Sequence, residues 1–89
     1  MSESKLQSKI LKWLKANGYY NFKTIVCNRN GIPDIIGMTP AGRFFAIEVK
    51  FGANKASKLQ EWNITQIKAG GGIAFLAYSL EDVIQGLQQ

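Results

Sequence analysis

Residues 31–50 read GIPDIIGMTPAGRFFAIEVK, and the fold can be argued outward from that stretch. Thr39-Pro40-Ala41-Gly42 has the composition of a tight turn, with one mostly apolar run before it (34–38) and another after it (43–50). Two strands joined so closely form an antiparallel hairpin. Side chains alternate along a strand, so Phe44, Ala46, Glu48 and Lys50 share one face of the second strand, and Phe45, Ile47 and Val49 share the other. A hairpin also brings the start of its first strand beside the end of its second. Asp34 is therefore expected to converge with Glu48.

That convergence carries a cost. Two carboxylates about 4 Å apart repel by roughly 4 kcal/mol at an effective dielectric of 20, and Lys50, beside Glu48 on the same face, offsets only part of it. Upstream, residues 2 to about 17 (SESKLQSKILKWLKAN) have helical spacing, with Ser2 as cap and Gly18 as stop. At about 100° per residue, Glu3, Gln7, Ile10 and Leu14 fall on one side, while Lys5, Lys9, Lys12 and Lys15 form a solvated stripe on the other. Glu3 thus points the way the core points. If it joins Asp34 and Glu48, three acids face one lysine, and a divalent cation is the natural counterweight. Hard oxygen ligands without imidazole or thiolate select Mg²⁺ or Mn²⁺ over zinc, and a water on such an ion beside a lysine attacks phosphate readily. The plainer alternative is an ordinary Glu48–Lys50 ion pair with Asp34 capping a turn.

Around this centre, residues 19–28 (YYNFKTIVCN) read as a strand with Cys27 as a small buried apolar group, and NRNGIP (28–33) as a turn. After the loop FGANKA (51–56), a helix runs from Ser57 to about residue 69 and opens with the capping-box pattern Ser57-Lys58-Leu59-Gln60. Gly70-Gly71-Gly72 ends it, and lacks the Lys-Ser/Thr of a phosphate-binding loop. Residues 73–78 (IAFLAY) suit a strand covered on both faces, and Ser79 caps a last helix with Val83, Ile84 and Leu87 inward. The order α-β-β-β-α-β-α describes one domain over 1–89 of the α/β (α+β) class, a mixed sheet flanked by helices. Trp13, Trp62 and the Phe and Tyr side chains fall within apolar patterns and are expected in the core or a dimer contact. Phe51, beside Lys50, is the exception, a candidate for base stacking.

Composition narrows the chemistry. The 89 residues carry 11 Lys and Arg against 6 Asp and Glu, a net charge of +5 that favours polyanionic partners or simply a soluble basic surface. With one cysteine and no histidine, disulfide frameworks, thiolate zinc clusters, Ser-His-Asp triads and histidine-based nucleases are excluded within the chain. Arg29 and Asn30 before Asp34, and Lys55 and Lys58 after Lys50, flank the acidic centre and are candidates for contact with a DNA backbone. The opening MSESKLQSKILKWLK is too polar for a secretory segment and no apolar run reaches membrane-spanning length, which predicts an intracellular protein with no membrane partner.

SESKLQ on a first helix, then GIPDIIG, FFAIEVK, and SKLQ opening the next helix resemble the VRR-NUC (virus-type replication-repair nuclease) branch of the PD-(D/E)XK nuclease superfamily, over residues 2 to about 72. The resemblance implies that superfamily's core fold and a Mg²⁺- or Mn²⁺-dependent endonuclease acting on DNA. Asp34 and Glu48 then match its metal-binding acids, and the Val49 carbonyl a further ligand. Glu3 matches its helix-borne acid, reaching the metal directly or through water. Lys50 matches the residue that positions the attacking water and stabilises developing phosphate charge. Gln60 matches a glutamine after the catalytic lysine, and is equally the N3 residue of a capping box; both readings stand at this stage. Stand-alone members are compact dimers of phage or bacterial type, similar to resolvases that cut four-way (Holliday) junctions. That implies a homodimer acting on branched DNA in repair, in the cytoplasm of a bacterial or phage-infected cell. The competing expectation, from composition alone, is a non-catalytic basic module that binds nucleic acid.

Overall fold

Three serines start the helices. Ser2, Ser57 and Ser79 each turn a hydroxyl oxygen to the backbone N–H of the residue three further on, in front of α1 (Glu3–Ala16), α2 (Lys58–Ala69) and α3 (Leu80–Gly86). The computed structural model describes residues 2–88, and among them the strands are β1 (Tyr20–Lys23), β2 (Ile35–Met38), β3 (Phe44–Val49) and β4 (Ile73–Ala77). The element order is the one expected from the sequence.

The strands form one sheet in the order β1-β2-β3-β4, antiparallel except for β4, which α2 returns parallel to β3. Strand β3 is central and buried on both sides from Phe45 to Val49. Its two faces are the two predicted by alternation. Phe45, Ile47 and Val49 pack with Ile35 against Leu6, Ile10 and Leu14 of α1 and Val83 of α3. Ala46 packs on the other side with Ala74 and Ile64, under α2. Each large side chain so buried contributes about 1.5–3 kcal/mol. Gly37 is needed where it stands, because a Cβ there would lie 1.9 Å from the Tyr20 carbonyl oxygen and 2.9 Å from the Phe45 ring.

Strand β1 is shorter than the 19–28 expected. Thr24 still donates its N–H to the carbonyl of Asp34 and its hydroxyl to that of Pro33, and the ladder stops there. Ile25 and Val26 are consequently 82% and 89% exposed, and Cys27 is exposed instead of buried. Several of the aromatic residues, expected in the core or at a dimer contact, lie outside the core. Helix α2 covers β3 and β4 but not β1, so Tyr20, Phe22, Met38 and Phe44, which share its face of the sheet, are all more than two-fifths exposed.

Candidate active site

The site follows from the register. Ile35 stands opposite Ile47, so one residue back Asp34 stands opposite Glu48, and one further Pro33 opposite Val49. Because the Asp34 carbonyl faces β1, accepting from Thr24 N–H at 2.9 Å, the Asp34/Glu48 pair is of the non-hydrogen-bonded kind. In such pairs Cα atoms lie about 4.5 Å apart and side chains are closest. Both carboxylates leave the sheet on the face that carries Lys50 and lies toward α2. Asp34 is fixed there by Val49 N–H, which donates to its Oδ2 at 2.9 Å, and the preceding Pro33 carbonyl is held by the Thr24 hydroxyl at 2.6 Å.

Lys50 N–H donates to the Ala77 carbonyl, so even-numbered residues at this end of β3 turn their backbone to β4 and Val49 turns its own to β2. Opposite it is Pro33. The Val49 carbonyl thus points at a residue with no N–H to offer, which leaves it available as an oxygen ligand.

Glu48 is 2% exposed. Its Oε2 accepts from Gln60 Nε2 at 3.2 Å and lies 3.4 Å from Lys50 Nζ, while Oε1 is a buried side-chain oxygen with no hydrogen-bond partner among the described residues. Burial first, then the neighbouring Asp34 charge, push the Glu48 carboxyl up from 4.5 to about 7, against the opposite pull of Lys50. Gln60 bonds in two directions. Its Oε1 accepts from Ser57 N–H at 2.8 Å, closing the capping box, and its amide nitrogen holds Glu48.

A divalent cation fits this arrangement. An orphaned carboxylate oxygen, a second carboxylate and a carbonyl aimed at proline present oxygen donors only, and one lysine does not balance two carboxylates. Glu3 is the departure. It occupies the first turn of α1, half-buried, but no three acidic, His or Cys side chains are gathered closely enough to hold a metal among the described residues. The three-acid cluster expected from helix periodicity is not formed, because α1 packs its apolar stripe on the opposite sheet face from Glu48.

The basic candidates lie on the rim. Arg29 and Asn30 are exposed in the loop between β1 and β2, Lys55 in the loop after β3, and Lys58 at the first position of α2. The Tyr78 hydroxyl ties that second loop down by donating to the Asn54 carbonyl at 2.7 Å. Phe51 is 37% exposed beside Lys50. Trp62, expected in the core or at a dimer contact, lies outside the core, 49% exposed with the Arg29 guanidinium over its ring at 6.0 Å. Helix spacing carries the signal for this: Gln60, Asn63, Ile64 and Ile67 form the inward face of α2, which leaves Leu59, Trp62 and Gln66 together on a flank. Thr24 was not identifiable before the register was known.

The VRR-NUC domain model matches residues 1–81. One solved structure described as a VRR_NUC domain superposes with a TM-score of 0.82 at 23% identity, covering 98% of this chain and 95% of the other. A second, described as a VRR_NUC domain protein, gives 0.81 at 22% identity, with 100% and 87% covered. No curated protein matches the sequence.

Proposed function

Since the chain belongs to the VRR-NUC domain family, a nuclease family of the PD-(D/E)XK type, we propose that it is a Mg²⁺- or Mn²⁺-dependent endonuclease that hydrolyses DNA phosphodiester bonds, with a preference for branched DNA such as four-way junctions. The observation that carries this reading is the convergence of Asp34 and Glu48 on one face, with Lys50 at 3.4 Å from Glu48. Asp34 and Glu48 would hold the ion, with the Val49 carbonyl as a further ligand. When bound, the ion supplies a water of lowered pKa and neutralises phosphate charge. Lys50 exchanges its contact with Glu48 for the attacking water and the developing charge on phosphate. Gln60 keeps the Glu48 carboxylate aimed, and Val49 N–H does the same for Asp34. Arg29, Asn30, Lys55 and Lys58 seat the DNA backbone around them.

Two sites on a two-fold assembly suit a substrate with two strands to cut, and the exposed apolar residues Tyr20, Phe22 and Met38 support a homodimer. Among the described residues no helix is long and apolar enough to cross a membrane. The deciding experiment incubates purified protein with labelled four-way, splayed, flapped and fully paired DNAs, with and without Mg²⁺ or Mn²⁺. Cleavage is expected only with metal, and is lost in Asp34→Ala, Glu48→Ala and Lys50→Ala. An Asp34→Ala protein that still cuts, or a wild type that binds without cutting in either metal, defeats the proposal.

A further inference from the structure

Beside the acidic centre lies a groove of about 360 Å³ with no role in the chemistry described above. Its walls are Arg29, Ile32 and Pro33 from the β1–β2 loop, Ile36 from β2, and Trp62 and Gln66 from α2. The walls are held together firmly. Gly31, at φ +78°, lets the loop backbone lie directly on α2, where a Cβ would come within 2.6 Å of the Leu59 side chain and 3.1 Å of the Asn63 amide. The volume is within the roughly 300–1,000 Å³ of small-ligand pockets. The lining combines a half-exposed indole and aliphatic side chains with one guanidinium and two amides, Asn63 and Gln66.

An Arg–Trp pair alone decides little, since about one arises per 70–80 residues in ordinary structures. Place and chemistry single this one out. The groove starts at Pro33, the residue before Asp34, and along α2 it begins within one turn of Gln60, which touches Glu48. A strand whose phosphate sits at the acids therefore brings a neighbouring nucleotide to the groove mouth. A nucleobase is flat, apolar on its faces and polar on its edge, matching an indole floor with amides at the sides. The positive Arg29 suits the phosphate that accompanies it.

We propose that this groove is a subsite for one unpaired nucleobase of the substrate strand, stacked on Trp62 with Arg29 on the adjoining phosphate. A paired base cannot reach it without leaving its helix, so the subsite selects DNA with an unpaired nucleotide next to the cleaved bond. The proposal rests on the nuclease reading for the identity of the ligand, and its test is made to fail separately.

The affinity of the full chain is measured by fluorescence anisotropy, with EDTA present, for a duplex bearing a short single-stranded flap and for the same duplex fully paired. The ratio of the two affinities is the readout. Trp62→Ala is expected to lower that ratio about tenfold or more, and Trp62→Phe to restore most of it. Replacing the unpaired nucleotide by an abasic one should cost wild type the same factor and cost Trp62→Ala nothing further. An unchanged ratio in a Trp62→Ala protein with a normal circular dichroism spectrum overturns the subsite, as do abasic and Trp62 losses that simply add. A Trp62→Ala protein whose sedimentation changes from dimer to monomer overturns it in favour of a second copy in the groove. The same DNAs with Mg²⁺ test the nuclease reading independently: absence of cleavage by wild type defeats that reading, while the affinity ratio still decides whether the groove takes a base.

Discussion

At the scale of single residues, Glu48 is a buried carboxyl with one oxygen unpartnered among the described residues. Its carboxyl is raised from 4.5 to about 7, so between those values the folded chain keeps a proton that the unfolded chain has lost. Stability is therefore highest below the unfolded value, falls as pH rises through the interval, and levels off above 7. The loss is on the order of 3 kcal/mol if the full shift is expressed. Urea unfolding in EDTA should show the folded state weakening from pH 4.5 to 8, and Glu48→Gln should flatten that slope and be the more stable protein at pH 8. Mg²⁺ should recover stability in wild type at pH 8 and not in Glu48→Gln. A slope that persists in the variant would place the titrating group elsewhere. Lys50 gives the second prediction at this scale. Removing a preorganised positive charge from a transition state typically costs a factor of about 10²–10³, so Lys50→Ala should lower the single-turnover cleavage rate by that much, with DNA affinity changed far less.

At the scale of elements, the first turn of α2 does two jobs that mutations can separate. Ser57→Ala removes the cap alone and should cost about 1 kcal/mol in urea unfolding, with the cleavage rate kept. Gln60→Ala removes the reciprocal half of the capping box and also the donor to Glu48 Oε2, so it should cost a similar amount and in addition slow cleavage at low metal concentration. Equal catalytic effects of the two would mean that Gln60 matters only as a cap. This double use shows how much was legible beforehand. The capping pattern, the hairpin turn and the alternation of β3 are local, and each gave its element to within a residue or two. Asp34 beside Glu48 was legible because a hairpin's register follows from its turn. What was not legible depended on partners distant in sequence. The end of β1 is set by its partners across the sheet, where Thr24 makes the last contacts with the Asp34 and Pro33 carbonyls, and the β-branched residues Ile25 and Val26 lie outside any strand. Glu3 was assigned by its helix face correctly as inward, but facing inward on α1 means facing the sheet side away from Glu48, a fact of layer order that periodicity does not carry. Of the two places expected for Trp62, core or dimer contact, the core is closed to it because α2 spans only β3 and β4 and its flank overhangs a groove.

At the scale of the whole molecule, the sheet is covered fully on one face and only in part on the other. Tyr20, Phe22 and Met38 lie on the uncovered part, with exposures of 68%, 50% and 47%. A domain of this length buries only roughly 60% of the surface its unfolded chain exposes, so a second apolar surface placed against this patch adds proportionately more to its stability than it would to a larger protein. Tyr20 and Met38 are paired across β1 and β2 at the end of the sheet remote from Asp34, about 13 Å along the strand from Thr24, so charges there leave the acidic centre untouched. Tyr20→Lys with Met38→Lys should thus fold, because neither side chain contributes to the buried core, and should sediment as a monomer, whereas wild type is expected to sediment as the proposed dimer. The catalytic consequence separates assembly from chemistry. A monomer retains Asp34, Glu48 and Lys50 and should still nick a flapped duplex in Mg²⁺ at close to the wild-type rate. On a four-way junction it should release singly nicked intermediates, where a dimer delivers both cuts within one binding event. A cruciform plasmid reports the difference directly: the dimer converts it to linear product, and the monomeric variant to open circles. Linear product from the variant at the wild-type rate, with sedimentation confirming a monomer, would show that the two incisions do not need a two-fold enzyme.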